Sequence, residues 1–240
     1  MAEVMTTQFW IGLMTIIWVN IILSGDNAVV IALAARSLPQ RQQKLAVFWG
    51  AGAAVVMRII LTIVAVELLK FPYLKLIGGA LLLWIAVKLL VPEDDAGDGI
   101  ESSSNLFAAI KTILIADLVM SLDNVIGVAA AAKGSILLLV LGLLISIPLV
   151  IFGATMLMKL MERWPVIITL GAAILGWVAG EMAVTDPVLA EWVNVNAAWL
   201  HWIAPIGGAI LVVVVGKAIA ARARKEHKTV VDLASDKPNA

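Results

Sequence analysis

The sequence predicts an all-α, polytopic membrane protein of about seven transmembrane helices, built as two inverted three-helix repeats plus a C-terminal helix. Three observations carry this expectation. The 240-residue chain is 62% hydrophobic with a mean hydropathy of +1.03, well above the ~45–50% apolar content of soluble domains. Its apolar runs approach the ~20 residues that cross a bilayer as helix, and none shows the ~10-residue alternation of barrel strands. One polar motif also occurs twice inside those runs. The composition excludes other classes. A formal net charge of zero leaves no basic stripe for nucleic acid, and the absence of cysteine removes disulfides and thiolate ligands.

The expected spans are 9–35, 45–69, 72–91, 106–132, 135–158, 165–185 and 198–221, separated by polar or proline-containing breaks. Residues 1–8 carry Glu3 and no Lys or Arg, so the first run reads as a retained helix and not a cleaved signal. The break at Lys133–Gly134 is short enough to imply a tight hairpin. Residues 1–91 form the first triplet, 92–105 an acidic cytoplasmic linker and 106–185 the second triplet. An outer loop and the seventh helix follow over 186–222, and a cytoplasmic tail, expected to fray, over 223–240. The linker holds Glu93, Asp94, Asp95, Asp98 and Glu101. It reads either as a lure for metal or, as its composition suggests, as a flexible connection.

Orientation follows from the short loops. Arg36, Arg41, Lys44, Lys111, Lys159, Arg163, Arg222, Arg224, Lys225 and Lys228 fall on one side, against Lys70, Lys75 and Lys133 on the other. The basic side is expected to be cytoplasmic, which puts the N-terminus outside and the C-terminus inside. Trp192, Trp199 and Trp202 read as an outer aromatic belt.

The repeated motif runs from Asn20 through Ser24, Gly25 and Asp26 to Asn27 in the first span. In the fourth it runs from Asp117 through Ser121, Leu122 and Asp123 to Asn124. A second correspondence links Gly78, Trp84 and Lys88 with Gly171, Trp177 and Glu181. Two triplets in tandem have opposite topologies because three is odd. That is the inverted repeat of many secondary transporters, with the site where the halves meet.

A charge at mid-membrane costs about 2.5–3.5 kcal/mol or more, so Asp26 and Asp123 call for a partner, a proton or an ion. Steps of three and four residues place Asn20, Ser24 and Asn27 on one helix face, and Asp117, Ser121 and Asn124 on another. Each motif aspartate, Asp26 or Asp123, lies beside that face. Gly25 offers a point where the first helix can loosen and turn Asp26 inward. Joined, the faces supply Asp26, Asp117 and Asp123 as carboxylates, Asn20, Asn27 and Asn124 as amide oxygens, and Ser24 and Ser121 as hydroxyls. These hard oxygen donors suit Mg²⁺, Ca²⁺ or Mn²⁺. Met120 either adds a thioether or only packs. The competing reading is that these polar groups merely knit helices by hydrogen bonds.

Three further charges are candidates for gating or proton coupling. Arg58, deep in the second span, either neutralises a carboxylate when no ion is bound or braces the bundle. Lys88 either gates or snorkels, and Glu181 is an exit-path ligand, a proton carrier or a wetted helix end.

The paired motifs and their flanks, including the Ile-Thr-Leu-Gly and Gly-Trp-Val-Ala-Gly-Glu stretches ending at Gly171 and Glu181, resemble the TerC family, and within it the YjbE-like branch. The resemblance covers nearly the whole chain. It implies a multi-pass protein of the bacterial inner membrane, related to the LysE-type exporters and acting in manganese efflux. It also implies that Asp26, Asp117 and Asp123 bind the ion. Some relatives carry an acid where this chain has Asn20, which leaves the first half with one carboxylate fewer.

The expectation is therefore a non-enzymatic Mn²⁺ exporter with Mn²⁺ as the transported ion and no other cofactor. It meets lipid and, as coupling partners, protons; a homo-oligomer is compatible. Rival readings are an amino-acid exporter and a membrane partner that assists metalation or insertion of other proteins. An intramembrane aspartyl protease fits poorly, because Leu23 stands where its Gly-x-Gly-Asp signature needs glycine.

Overall fold

The computed structural model describes residues 7–68, 71–91, 102–132 and 135–235. Among these the protein is entirely helical. The elements are α1 Thr7–Leu23, α2 Gly25–Ala35, α3 Gln40–Leu68, α4 Leu74–Leu90, α5 Ser102–Ala132, α6 Ile136–Arg163, α7 Val166–Val184, α8 Pro187–Asn196 and α9 Leu200–Ser235. Helices are the expected outcome, since an apolar segment in lipid must satisfy its own backbone.

Four elements differ from the sequence expectation. The first span is not one helix. It breaks at Ser24, and the segments Phe9–Asn20 and Gly25–Ala35 meet at 48°. Ser24 leaves the helical region (φ −106°, ψ 3°), and Gly25 beside it has open space. The tail is not frayed as a whole. Helix α9 continues to Ser235, and no Gly or Pro interrupts residues 217–235. The acidic linker ends sooner than expected, because helix α5 already begins at Ser102. Its acidic residues lie outside the described residues. The outer loop is partly ordered as α8.

Among the described residues five helices (α3, α5, α6, α7 and α9) are long and apolar enough to cross a membrane, and the bent α1–α2 pair makes six. The remaining expected span corresponds to α4. Its 17 residues reach only about 26 Å at 1.5 Å per residue, short of the ~30 Å hydrocarbon core.

Packing is centred on α2, which is buried from Asn27 through Ala35. A helix apolar on every side belongs in the interior, and the alanines of α2 let neighbours approach closely. The α1–α2 element packs on α6, α3 packs on α5, and α4 packs on α7. Exchanging the first triplet for the second leaves this pairing pattern unchanged. Helix α9 stands outside it, against α7 and α4. At the α7–α9 seam a side chain on Gly176, Gly180 or Gly208 would collide with the opposing backbone. This is the small-residue contact that drives helix association in lipid. Around the outside, Trp18, Phe48, Ile77, Phe107, Phe152 and Ile210 are exposed, a lipid-facing coat.

Asp186, the first residue of the expected outer loop, is fully buried. Its Oδ1 accepts from the backbone N–H of Tyr73 (3.2 Å) and Val188 (2.9 Å), and its Oδ2 from Lys75 (3.1 Å) and Leu76 (3.2 Å). One carboxylate thus caps the N-termini of both α4 and α8, satisfying donors that helix starts leave free. The chain enters α4 through Tyr73 in a left-handed conformation (φ 65°), at the turn where the N–H groups of Tyr73, Lys75 and Leu76 meet Asp186.

Candidate functional site

The buried polar residues converge on Arg58, midway along α3. A guanidinium is never neutral and carries five N–H donors, so burial demands acceptors. Arg58 is 3% exposed. Its Nε donates to Ser121 Oγ (3.0 Å), and its Nη1 to Asn20 Oδ1 (2.8 Å) and Ser24 Oγ (3.1 Å). Its Nη2 meets Asp117 Oδ1 at 2.5 Å in a salt bridge. Thr62, one turn on, donates to the Arg58 carbonyl.

The two motif copies hold themselves in the same way. Ser24 Oγ donates to Asn20 Oδ1, and Ser121 Oγ donates to Asp117 Oδ2, each at 3.3 Å and each across one helical turn. The four-residue spacing that put these pairs on common faces therefore also orients their oxygens. Arg58 sits between the copies and bonds to both. Asn20, Ser24, Asp117 and Ser121, which the sequence singled out, are brought together and buried.

Sequence reasoning missed Ser146. It is the only polar side chain in α6 between Ile136 and Ala154, which was the available signal. Its Oγ accepts from Asn20 Nδ2 (2.5 Å) and donates to the carbonyls of Gly142 and Leu143. The first residue of each motif is thus met by a polar side chain from the middle helix of the other triplet. Asp117 meets Arg58, and Asn20 meets Ser146. Charge matches charge, and neutral matches neutral.

The remaining candidates are placed differently. Asp26 lies in the first turn of α2, partly buried, with Oδ1 accepting from the Asn27 N–H (2.8 Å). It is outside the Arg58 hydrogen bonds but within electrostatic reach of both Arg58 and Asp117. Asn27 is buried and Asn124 partly buried. Asp123 belongs to α5, and its side chain lies outside the described residues. Lys88 is exposed, its Nζ 5.7 Å from the Trp84 ring centre, and Glu181 is exposed on α7. Met120 packs in the apolar core. Among the described residues no three Asp, Glu, His or Cys side chains form a cluster able to hold a metal. The cation that occupies the oxygen cage here is Arg58 itself.

The fold and this cluster define a multi-pass integral membrane protein with a buried ion pair where two helix triplets meet. The model of the integral membrane protein TerC family matches residues 5–229, and the chain belongs to that family. It is 44% identical over 186 residues to the uncharacterized membrane protein YjbE of Bacillus subtilis, covering 78% of this chain and 85% of that one. It is 26% identical to the uncharacterized membrane protein YceF of the same organism (75% and 74% covered). With the UPF0053 inner membrane protein YgdQ of Escherichia coli it shares 27% identity (65% and 73% covered). No solved structure matches the chain.

Proposed function

We propose that this protein transports a divalent cation across the membrane, Mn²⁺ out of the cytoplasm in particular, by alternating movement of its two triplets around the cluster. The observation that carries the reading is that side-chain oxygens from both motif copies already converge on one buried cation, the Arg58 guanidinium. The same oxygens, with Asp26 alongside, form a hard donor set suited to Mn²⁺ and lacking the imidazole and thiolate that select Zn²⁺ or Cu²⁺. The break at Ser24 adds support. It ends α1 with backbone carbonyls outside the helical ladder, and such broken helices coordinate cations in transporters of inverted-repeat design. The unchanged pairing under exchange of triplets is what that design requires. When the ion leaves, Arg58 compensates Asp117 alone, and a proton would compensate a further carboxylate such as Asp26; we therefore include proton antiport. An amino-acid substrate is less well served, since four donations of the only guanidinium in the cluster already go to the protein.

The test is Mn²⁺ flux in proteoliposomes under an imposed pH gradient. The wild type is expected to give saturable flux that responds to the gradient. Asp26→Asn and Asp123→Asn, inserted at normal levels, should each lose most of it. Wild-type flux in both variants, or no flux from the wild type, overturns the proposal.

A further inference from the structure

Four of the oxygens that the two motif copies offer to a cargo ion are already engaged by Arg58. Asp117 Oδ1, Asn20 Oδ1, Ser24 Oγ and Ser121 Oγ are all acceptors of its N–H groups. Asp117 Oδ2 takes the Ser121 hydroxyl. A dication cannot share these lone pairs, and two cations within one shielded cage repel strongly. We infer that Arg58 is a tethered competitor of the cargo: ion entry and Arg58 departure are one exchange, and the guanidinium returns when the ion is released.

This deepens the transport reading and rests on it. The exchange has two consequences. With Arg58 home, Asp117 is neutralised without any ion, so the empty carrier does not hold an uncompensated anion at mid-membrane. Because Arg58 bonds to Asn20 and Ser24 of one copy and to Asp117 and Ser121 of the other, its return also ties the two halves together. The empty protein therefore has a defined resting arrangement. The device costs affinity, because apparent binding weakens by the fraction of molecules in which Arg58 is out of the cage.

The experiment measures Mn²⁺ binding by calorimetry in lipid nanodiscs for the wild type, Arg58→Ala and Arg58→Lys. Removing the competitor in Arg58→Ala should tighten binding by about tenfold or more. Low-millimolar guanidinium, below any denaturing level, should reverse that gain by refilling the cage, and should leave wild-type binding unchanged. Arg58→Lys, which keeps a charge but not the planar fork, should fall between. In proteoliposomes Arg58→Ala should exchange Mn²⁺ for Mn²⁺ across the membrane, while its net efflux should fall as pH rises and a proton no longer neutralises the carboxylate that Arg58 leaves. A purely structural role would give weaker binding and no response to guanidinium. Wild-type binding with equal or weaker binding in Arg58→Ala, or no guanidinium effect on that variant, overturns the inference and leaves the transport reading standing. Absence of Mn²⁺ binding in all three proteins overturns both.

Discussion

Replacing Asp117 by asparagine tests the energetics of the cluster directly. The change keeps shape and one acceptor but removes the only anion bonded to Arg58 among the described residues. At the observed 2.5 Å separation and an effective dielectric of 20, the lost attraction is about 7 kcal/mol before solvation is counted. Part of that is returned by the hydrogen bond that asparagine still accepts, worth about 1.5–3 kcal/mol to a charged donor. The expected loss of stability is thus about 4–5.5 kcal/mol, near the upper end of the ~3–5 kcal/mol found on breaking buried pairs from one side. Arg58→Met should cost less, because the orphaned partner is then a carboxyl that a proton can neutralise, whereas an orphaned guanidinium has no such escape. The double variant Asp117→Asn/Arg58→Met should be more stable than Asp117→Asn alone. Equilibrium unfolding in mixed detergent–SDS micelles gives all four corners of the cycle. Asp117→Asn within about 1 kcal/mol of wild type, or a double variant that loses the sum of both singles, would refute the reasoning that this pair is mutually dependent.

Two further outcomes follow from the fold. Gly180→Leu places a side chain against the backbone carbonyl of Ala204; the α7–α9 seam should open, seen as a lower melting temperature and faster proteolysis of α9, with Gly52→Leu, where space is open, as the control. Asp186→Ala strips the caps from two helix starts at about 1 kcal/mol each, and hydrogen exchange should quicken at Lys75, Leu76 and Val188 while the α5 core is unchanged.

Much of this was legible because polar side chains are expensive in an apolar run. Asn20, Ser24, Asp117 and Ser121 stood out for that reason, and their four-residue spacing correctly placed each pair on one face. Arg58 was conspicuous too, and the structure pairs it with Asp117 and bonds it to both motifs. Periodicity could not decide Asp26. Two residues past Ser24 lies nearly on the opposite side of a helix, and the break at Ser24 sets α2 at an angle that no spacing rule supplies. Nothing in the sequence singled out Asp186, because three of its four partners are N–H groups more than a hundred residues away. Backbone donors leave no trace in sequence. Ser146 was passed over for a related reason, since a lone hydroxyl in a greasy helix usually bonds its own preceding turn, as this one also does.

The glycine seam between α7 and α9 has a consequence for movement. Backbone lies directly against backbone there, and Gly79 of α4 meets the Ala179 carbonyl of α7 in the same fashion. Such joints contain no rotamers to rearrange, so sliding would have to break the fit outright. Helices α4 and α7, one from each triplet, are thus held side by side together with α9. In the proposed transport cycle the two triplets would turn about this joint rather than slide across it.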